Sequence, residues 1–191
     1  MIQAHAGVEL TPLYIDDSKQ RVELLQQAQG LSKILINSQA LANLVMLGAG
    51  YFSPLKGFMD RADSLSVAQT MRTQSGLFWP IPIMNLVSEM PDIKIGQRIA
   101  LCDPHCPDHS IVAIQTVEAI EGISDEDANI IINNVFATSD REHPGVDNFI
   151  AQGRWLIVGP CEVLGFSYFA SEFPDTFRTA PQIRQEIEQR G

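Results

Sequence analysis

The sequence predicts a mainly β module of α+β character, with helices placed around its periphery. Runs rich in β-branched and aromatic residues recur at 77–87, 98–101, 111–120, 154–158 and 162–166. Segments with apolar residues at helical spacing lie at 17–29, 38–47, 62–71 and 124–134. The composition, 45% hydrophobic and 19% charged over 191 residues, is enough to bury a core and fits one domain with a short extension.

The elements follow in order. Asp17 to Gln29 reads as an amphipathic helix, with Val22, Leu24, Leu25 and Ala28 on one face and Gly30 as its stop. A short β piece is expected at Lys33–Ile36. A helix capped by Ser38 then runs to Leu47, ahead of Gly48-Ala49-Gly50. The segment from Tyr51 to Asp60 holds Pro54 and Gly57, so it is a loop. Its Tyr51, Phe52, Leu55 and Phe58 are large and apolar, and such a loop packs onto the core. A third helix is expected over Ala62–Met71.

Leu77–Val87 carries Pro80 and Pro82 among aromatic and β-branched residues, a pattern suited to an edge or bulged strand. Arg98–Leu101 and Ile111–Ile120 read as a hairpin around a proline-containing loop. A helix opens at Ser124-Asp125-Glu126-Asp127 and runs to about Asn134. Thr138–Gly145 reads as a polar turn. Arg154–Val158 and Glu162–Phe166 read as two strands separated by Gly159-Pro160. Phe173–Ala180 has the character of a linker. It enters a terminal helix near Pro181, with Ile183 and Ile187 among charges and Gly191 as a stop. That helix has no element of its own to lead into, so the polypeptide is expected to continue.

The charge balance is 13 basic against 23 acidic residues, a formal net of −10. Phosphate backbones are bound mainly through Lys and Arg, so this balance argues against nucleic acid and against an anionic membrane. A small anion held by one arginine or a helix N-terminus stays compatible with it. Met1–His5 has no basic region followed by an apolar run, and no stretch approaches the ~20 apolar residues of a membrane helix. The cysteines are three, Cys102, Cys106 and Cys161, which suggests free thiols in a reducing cytoplasm.

Five local constellations could carry chemistry. Cys102, His105, Cys106 and His109 fall within eight residues and could hold zinc, although Pro104 and Pro107 hinder four side chains from closing on one ion. The alternative is a hairpin loop with incidental thiols. Gly48-Ala49-Gly50 partly matches a dinucleotide fingerprint but lacks the third glycine and follows a helix, which favours tight packing. Asp125, Glu126 and Asp127 could be an acid–base or metal cluster, or the first turn of a helix capped by Ser124. Asp140 and His143 could pair as orienter and base, or serve a backbone turn. Arg178 and Arg184 could hold an anion or make ion pairs. None assembles a catalytic, cofactor-binding or metal set, and the residues alone describe a soluble acidic module.

Several segments together resemble the sulfate adenylyltransferase (ATP sulfurylase) family, in its N-terminal domain. They are GAGYFSPLKGFMDRAD (48–63), LFWPIPI (77–83), RIALCDP (98–104), TSDREHPGV (138–146), GPCEVL (159–164) and FPDTFRTAPQIRQEIEQRG (173–191), in the family's order and at about its spacing. The resemblance spans nearly the whole chain. It implies a PUA-like pseudo-barrel over 1–173, with 174–191 as the linker and first helix of an α/β nucleotidyltransferase domain. The family signatures Gln-x-Arg-Asn-Pro-x-His-x-x-His and Gly-Arg-Asp-His-Ala-Gly do not occur here; the sequence holds no Asn-Pro and no His-x-x-His. No catalytic role is therefore carried over to any residue.

For the complete enzyme the resemblance implies transfer of AMP from ATP to sulfate in sulfur metabolism, with Mg-ATP as substrate complex and pyrophosphate as product. It also implies a catalytic domain as partner, a homo-oligomer and a cytoplasmic location. This chain alone is expected to be inactive. Cys102 departs from the family, which would place a basic or polar residue before Asp103-Pro104. The competing expectations are a free-standing PUA-like module that binds RNA, and a metal-responsive interaction module built on Cys102, His105, Cys106 and His109.

Overall fold

The computed structural model describes Gly7 and residues 9–190. The N-terminal stretch read above for a signal, and the Gly191 stop, lie outside the described residues. The elements in chain order are α1 (Ser18–Ala28), β1 (Ser32–Leu35), α2 (Ser38–Gly48), β2 (Gly57–Phe58), α3 (Arg61–Thr70), β3 (Leu86–Val87) and β4 (Arg98–Cys102). They continue with β5 (Ile111–Thr116), β6 (Ala119–Gly122), α4 (Asp125–Val135), α5 (Pro144–Ala151), β7 (Trp155–Val163), α6 (Phe169–Glu172) and α7 (Ala180–Arg190). They form a mixed sheet with helices.

The chain divides into two compact units and passes between them at 57/58, 96/97, 116/117 and 159/160. The described residues of Met1–Gly57, Gln97–Thr116 and Pro160–Gly191 form the first, and Phe58–Gly96 with Val117–Gly159 form the second.

In the first unit, β1 lies parallel to β4, with Ser32 opposite Ile99 and Leu35 opposite Cys102. β4 pairs antiparallel with β5, and the register slips between Leu101 and Cys102 as the chain enters its turn. β5 pairs antiparallel with the last residues of β7, Ala113 facing Val163 and Gln115 facing Cys161. Asp17 caps α1 by accepting from the amides of Lys19 and Gln20, and the helix buries Leu24 and Ala28 against Ala100, Ile111, Ile114 and Leu164. Asn37 caps α2 through a bond from the Ala40 amide, where Ser38 was expected; the cap sits one residue earlier because Ser38 already has helical backbone. Nearly every turn of α2 is buried. The following loop folds back only in part: Phe58 is buried, Phe52 and Leu55 are half-buried and Tyr51 stays exposed, while buried Ser53 accepts from the Thr11 amide (2.9 Å) and donates to the Gly50 carbonyl (2.7 Å).

In the second unit, the first part of β7 is flanked on both edges. Leu86 pairs with Leu156 on one side, and Ala119 with Val158 on the other. Helices α3, α4 and α5 bury Val67, Ile131 and Phe149. Asp60 caps α3, and Met71 ends it in the left-handed region at φ 54.

Four sequence expectations are corrected here. Of Leu77–Val87, only Leu86–Val87 is a strand, with one isolated bridge between Arg72 and Phe78. Pro80 and Pro82 lack the donors a ladder needs. The expected strand Ile111–Ile120 breaks into β5 and β6 at Val117-Glu118, where Val117 accepts from the Gly96 amide and Glu118 donates to Val158. The two strands around Gly159-Pro160 are one, β7. Gly159 adopts φ 139, which a side chain disfavours, and the strand continues through it. The polar turn at 138–145 leads directly into α5, whose first residue is Pro144.

Candidate functional site

Each constellation singled out in the sequence has a definite place. Cys102 lies at the end of β4 and is buried in the core of the first unit, and burial pushes its thiol pKa up. Asp103, fully buried, organises the turn that follows. Its carboxylate accepts from the His105 amide (2.8 Å) and from the Cys106 thiol (3.4 Å), and its carbonyl lies 3.3 Å from His109 Nδ1. The His105 ring stands edge-on to Tyr168 at 5.4 Å. Cys102 therefore belongs to the core while His105, Cys106 and His109 belong to an Asx turn. Among the described residues, no group of three or more His, Cys, Asp or Glu could hold a metal ion.

The glycines at 48–50 serve close approach of chain segments. A Cβ on Gly48 would meet Val163 Cγ1 at 2.7 Å. Gly50 sits at φ 84, and a Cβ there would meet Pro12 Cγ at 3.0 Å. Asp127 is spent twice over. It completes a capping box with Ser124, and its two oxygens take Arg61 Nε (2.8 Å) and Nη2 (2.6 Å). The Arg61 guanidinium first, and Ser124 after it, lower its pKa from 3.8 to about 2, against burial.

Asp140 and His143 each serve a backbone amide. Asp140 accepts from the Glu142 amide (2.9 Å), and His143 caps α5 by accepting from the Gly145 amide on Nδ1 (3.2 Å).

Arg178 is a staple for the segment before α7. Its Nη1 donates to the carbonyls of Pro174 (3.2 Å) and Phe177 (2.8 Å), and its Nε donates to Glu186 (3.0 Å). Arg184 is half-buried on α7. The first turn of α7 is fixed to the first unit, because the Ala180 amide donates to the Ala49 carbonyl and Tyr51 Oη to the Arg178 carbonyl, both within 2.9 Å.

Arg178 also lines a cleft of about 550 Å³ in the first unit. Its aromatic wall is a stack that sequence reading did not single out: Tyr14 on Phe166 at 4.5 Å, then Phe177 at 5.1 Å from Phe166. Arg21 covers the Tyr14 ring at 5.0 Å. Asp16, Thr179 and Gln182 add polar groups. These residues are more than 150 positions apart at the extremes, and no local spacing announces them. Arg61, paired with Asp127 across 66 positions, escaped for the same reason.

Comparison with known proteins decides the family. The PUA-like domain family matches residues 2–165. The chain belongs to the PUA-like domain family. Over all 191 residues it is 46% identical to the sulfate adenylyltransferases of Alcanivorax borkumensis and Allochromatium vinosum, and covers 48% of each. It is 40% identical to that of a Riftia pachyptila sulfur-oxidizing endosymbiont, covering 43% of it. The chain thus spans about half the length of the curated relatives it matches. Among solved structures, a hexameric APS kinase from Thiobacillus denitrificans superposes with a TM-score of 0.72 at 25% identity, over all of this chain and 32% of the other. The PUA-like fold expected from the resemblance is thereby established, and so is the similarity to sulfate adenylyltransferases. Among the described residues, no helix is long and apolar enough to cross a membrane.

Proposed function

We propose that this chain is the N-terminal PUA-like part of a sulfate adenylyltransferase, the enzyme that transfers AMP from ATP to sulfate. The observation that carries the reading is 46% identity along the whole chain to two sulfate adenylyltransferases of which it forms 48%. On this reading residues 1–173 are the accessory domain, and 174–191 lead into a nucleotidyltransferase domain that holds the reaction. The complete enzyme works on Mg-ATP in the cytoplasm, as a homo-oligomer.

Two observations support placing the metal-bound triphosphate outside this part. The arginines with defined partners are tied to carboxylates or carbonyls, and no metal-ligating group of three or more assembles among the described residues. Stabilising charge on transferring phosphates needs preorganised free cations and donors. The reading therefore assigns that work to the other half and gives this half a structural task.

The test is pyrophosphate release dependent on sulfate and Mg-ATP. The full-length protein is expected to show it, and the pure 191-residue chain to show none. Turnover by the 191-residue chain alone would sink the division of labour.

A further inference from the structure

Among the described residues, five helices start on a capping side chain: Asp17 for α1, Asn37 for α2, Asp60 for α3, Ser124 for α4 and His143 for α5. Asparagine and serine do not titrate near neutral pH, and carboxylates ordinarily take up a proton only near about pH 4. Histidine is the one of these residue types whose charge ordinarily changes between about pH 5 and pH 8.

Helix α5 rests its whole first turn on that residue. Pro144 has no amide hydrogen. The Gly145 amide donates to His143 Nδ1 (3.2 Å), and the amides of Val146 (3.0 Å) and Asp147 (3.1 Å) donate to the His143 carbonyl. The ring is held in a tight corner. A Cβ on Gly145 would lie 2.7 Å from Phe136 Cε1 and 3.1 Å from His143 Cε1, and the Phe136 and His143 rings stand 5.7 Å apart. The residues that follow, Val146 and Phe149, are buried in the core of the second unit.

The geometry points to a proton-operated latch: uptake of a solvent proton by His143 Nδ1 releases the first turn of α5. The lone pair that accepts from the Gly145 amide becomes an N–H bond, no covalent bond breaks, and two donors then face each other. The imidazolium also stands at the helix end where the amide dipoles already place positive charge. Both effects drive the ring away from Gly145 and Phe136. The charged groups around the ring lie on its own stretch of chain. Asp140, Arg141 and Glu142 precede it and Asp147 follows it, and the Asp140 carboxylate already accepts from the Glu142 amide at 2.9 Å. Helix α4 brings Phe136 and, at the same end, the uncharged Asn133, Asn134 and Val135. The core cluster that takes Val146 and Phe149 is apolar throughout. Among the described residues, no ion pair holds the imidazole.

Amide exchange followed by NMR on the isotopically labelled protein tests the latch. In the wild type, exchange of the Gly145 and Val146 amides, corrected for the intrinsic effect of pH, is expected to speed up about threefold or more between pH 7.5 and pH 5.5, the size of one lost hydrogen bond. The change is expected to track the ring protons of His143. His143→Asn keeps a capping oxygen that does not titrate, so its exchange is expected to stay level over that range. His143→Ser serves the same purpose should the first variant not fold. A wild type that stays level, a variant that speeds up as much as the wild type, or a change that tracks another histidine overturns the latch.

Discussion

Asp127 is the residue on which charge and fold meet most directly. Its carboxyl titrates near 2 in the folded chain and near 3.8 when unfolded, so the folded state favours the ionised form. A lowered pKa contributes stability that is complete above the unfolded value and is lost as pH falls through the folded one. Urea titrations of the wild type are expected to lose stability between pH 4 and pH 2 more steeply than those of Asp127→Asn. At pH 7 the variant is expected to be less stable by about 1–3 kcal/mol, the usual cost of breaking a charge-assisted bond and a cap together. Gly153 is a second decisive position. It sits at φ 101, and a Cβ would lie 2.3 Å from the Val87 carbonyl oxygen. Gly153→Ala is expected to cost at least about 2 kcal/mol in the same measurement, since both strain and overlap with backbone must be relieved. The cysteines differ in burial, and the Cys106 thiol also donates to the Asp103 carboxylate. Cys106 is half-buried, while Cys102 and Cys161 are buried. Alkylation at pH 8, mapped by mass spectrometry, is expected at Cys106 well before the other two; equal rates would contradict the packing of β4.

At the scale of elements, helix α5 shows what residue types alone conceal. Thr138–Gly145 is as polar as any turn, and its proline and glycine reinforce that reading. Yet His143 caps α5 and Pro144 takes the first helical position, where a missing amide costs nothing. The apolar residues that need the helix, Val146 and Phe149, come only after the polar run. His143→Ala is expected to destabilise the chain by about 0.5–1 kcal/mol, measured by thermal or urea unfolding, because one first-turn amide loses its acceptor. The opposite case is α4. Ser124 and Asp127 stand at capping-box spacing ahead of an apolar stripe, and the helix begins where that spacing places it. Strands were legible as apolar β-branched runs but not in their limits. β5 and β6 read as one strand because Val117 is as apolar as its neighbours, and the break is set by bonds to Gly96 and Val158. β7 read as two because Gly159-Pro160 is a strong turn signal, overridden by ladders on either side of it.

For the molecule as a whole, the net charge of −10 sets a direct expectation. RNA retention on filters at low ionic strength should stay at background, because binding to a phosphate backbone needs a basic face. Salt-sensitive retention would favour the free-standing RNA-binding alternative.

The sequence by itself determined the composition of the core, the start of α4 at its capping box, an acidity that argues against a phosphate-backbone partner, and the family resemblance. Each of these depends on residue type and on spacing within a few positions, and such information is local. The tertiary structure decided what the conspicuous residues are used for. Cys102 faces a core, Asp103 builds a turn, Asp127 holds Arg61, and Arg178 staples the approach to α7. It also brought Tyr14, Phe166 and Phe177 into one wall beside the start of the last helix. Those encounters join positions far apart along the chain, and they exist only once burial of apolar surface has fixed which strands are neighbours.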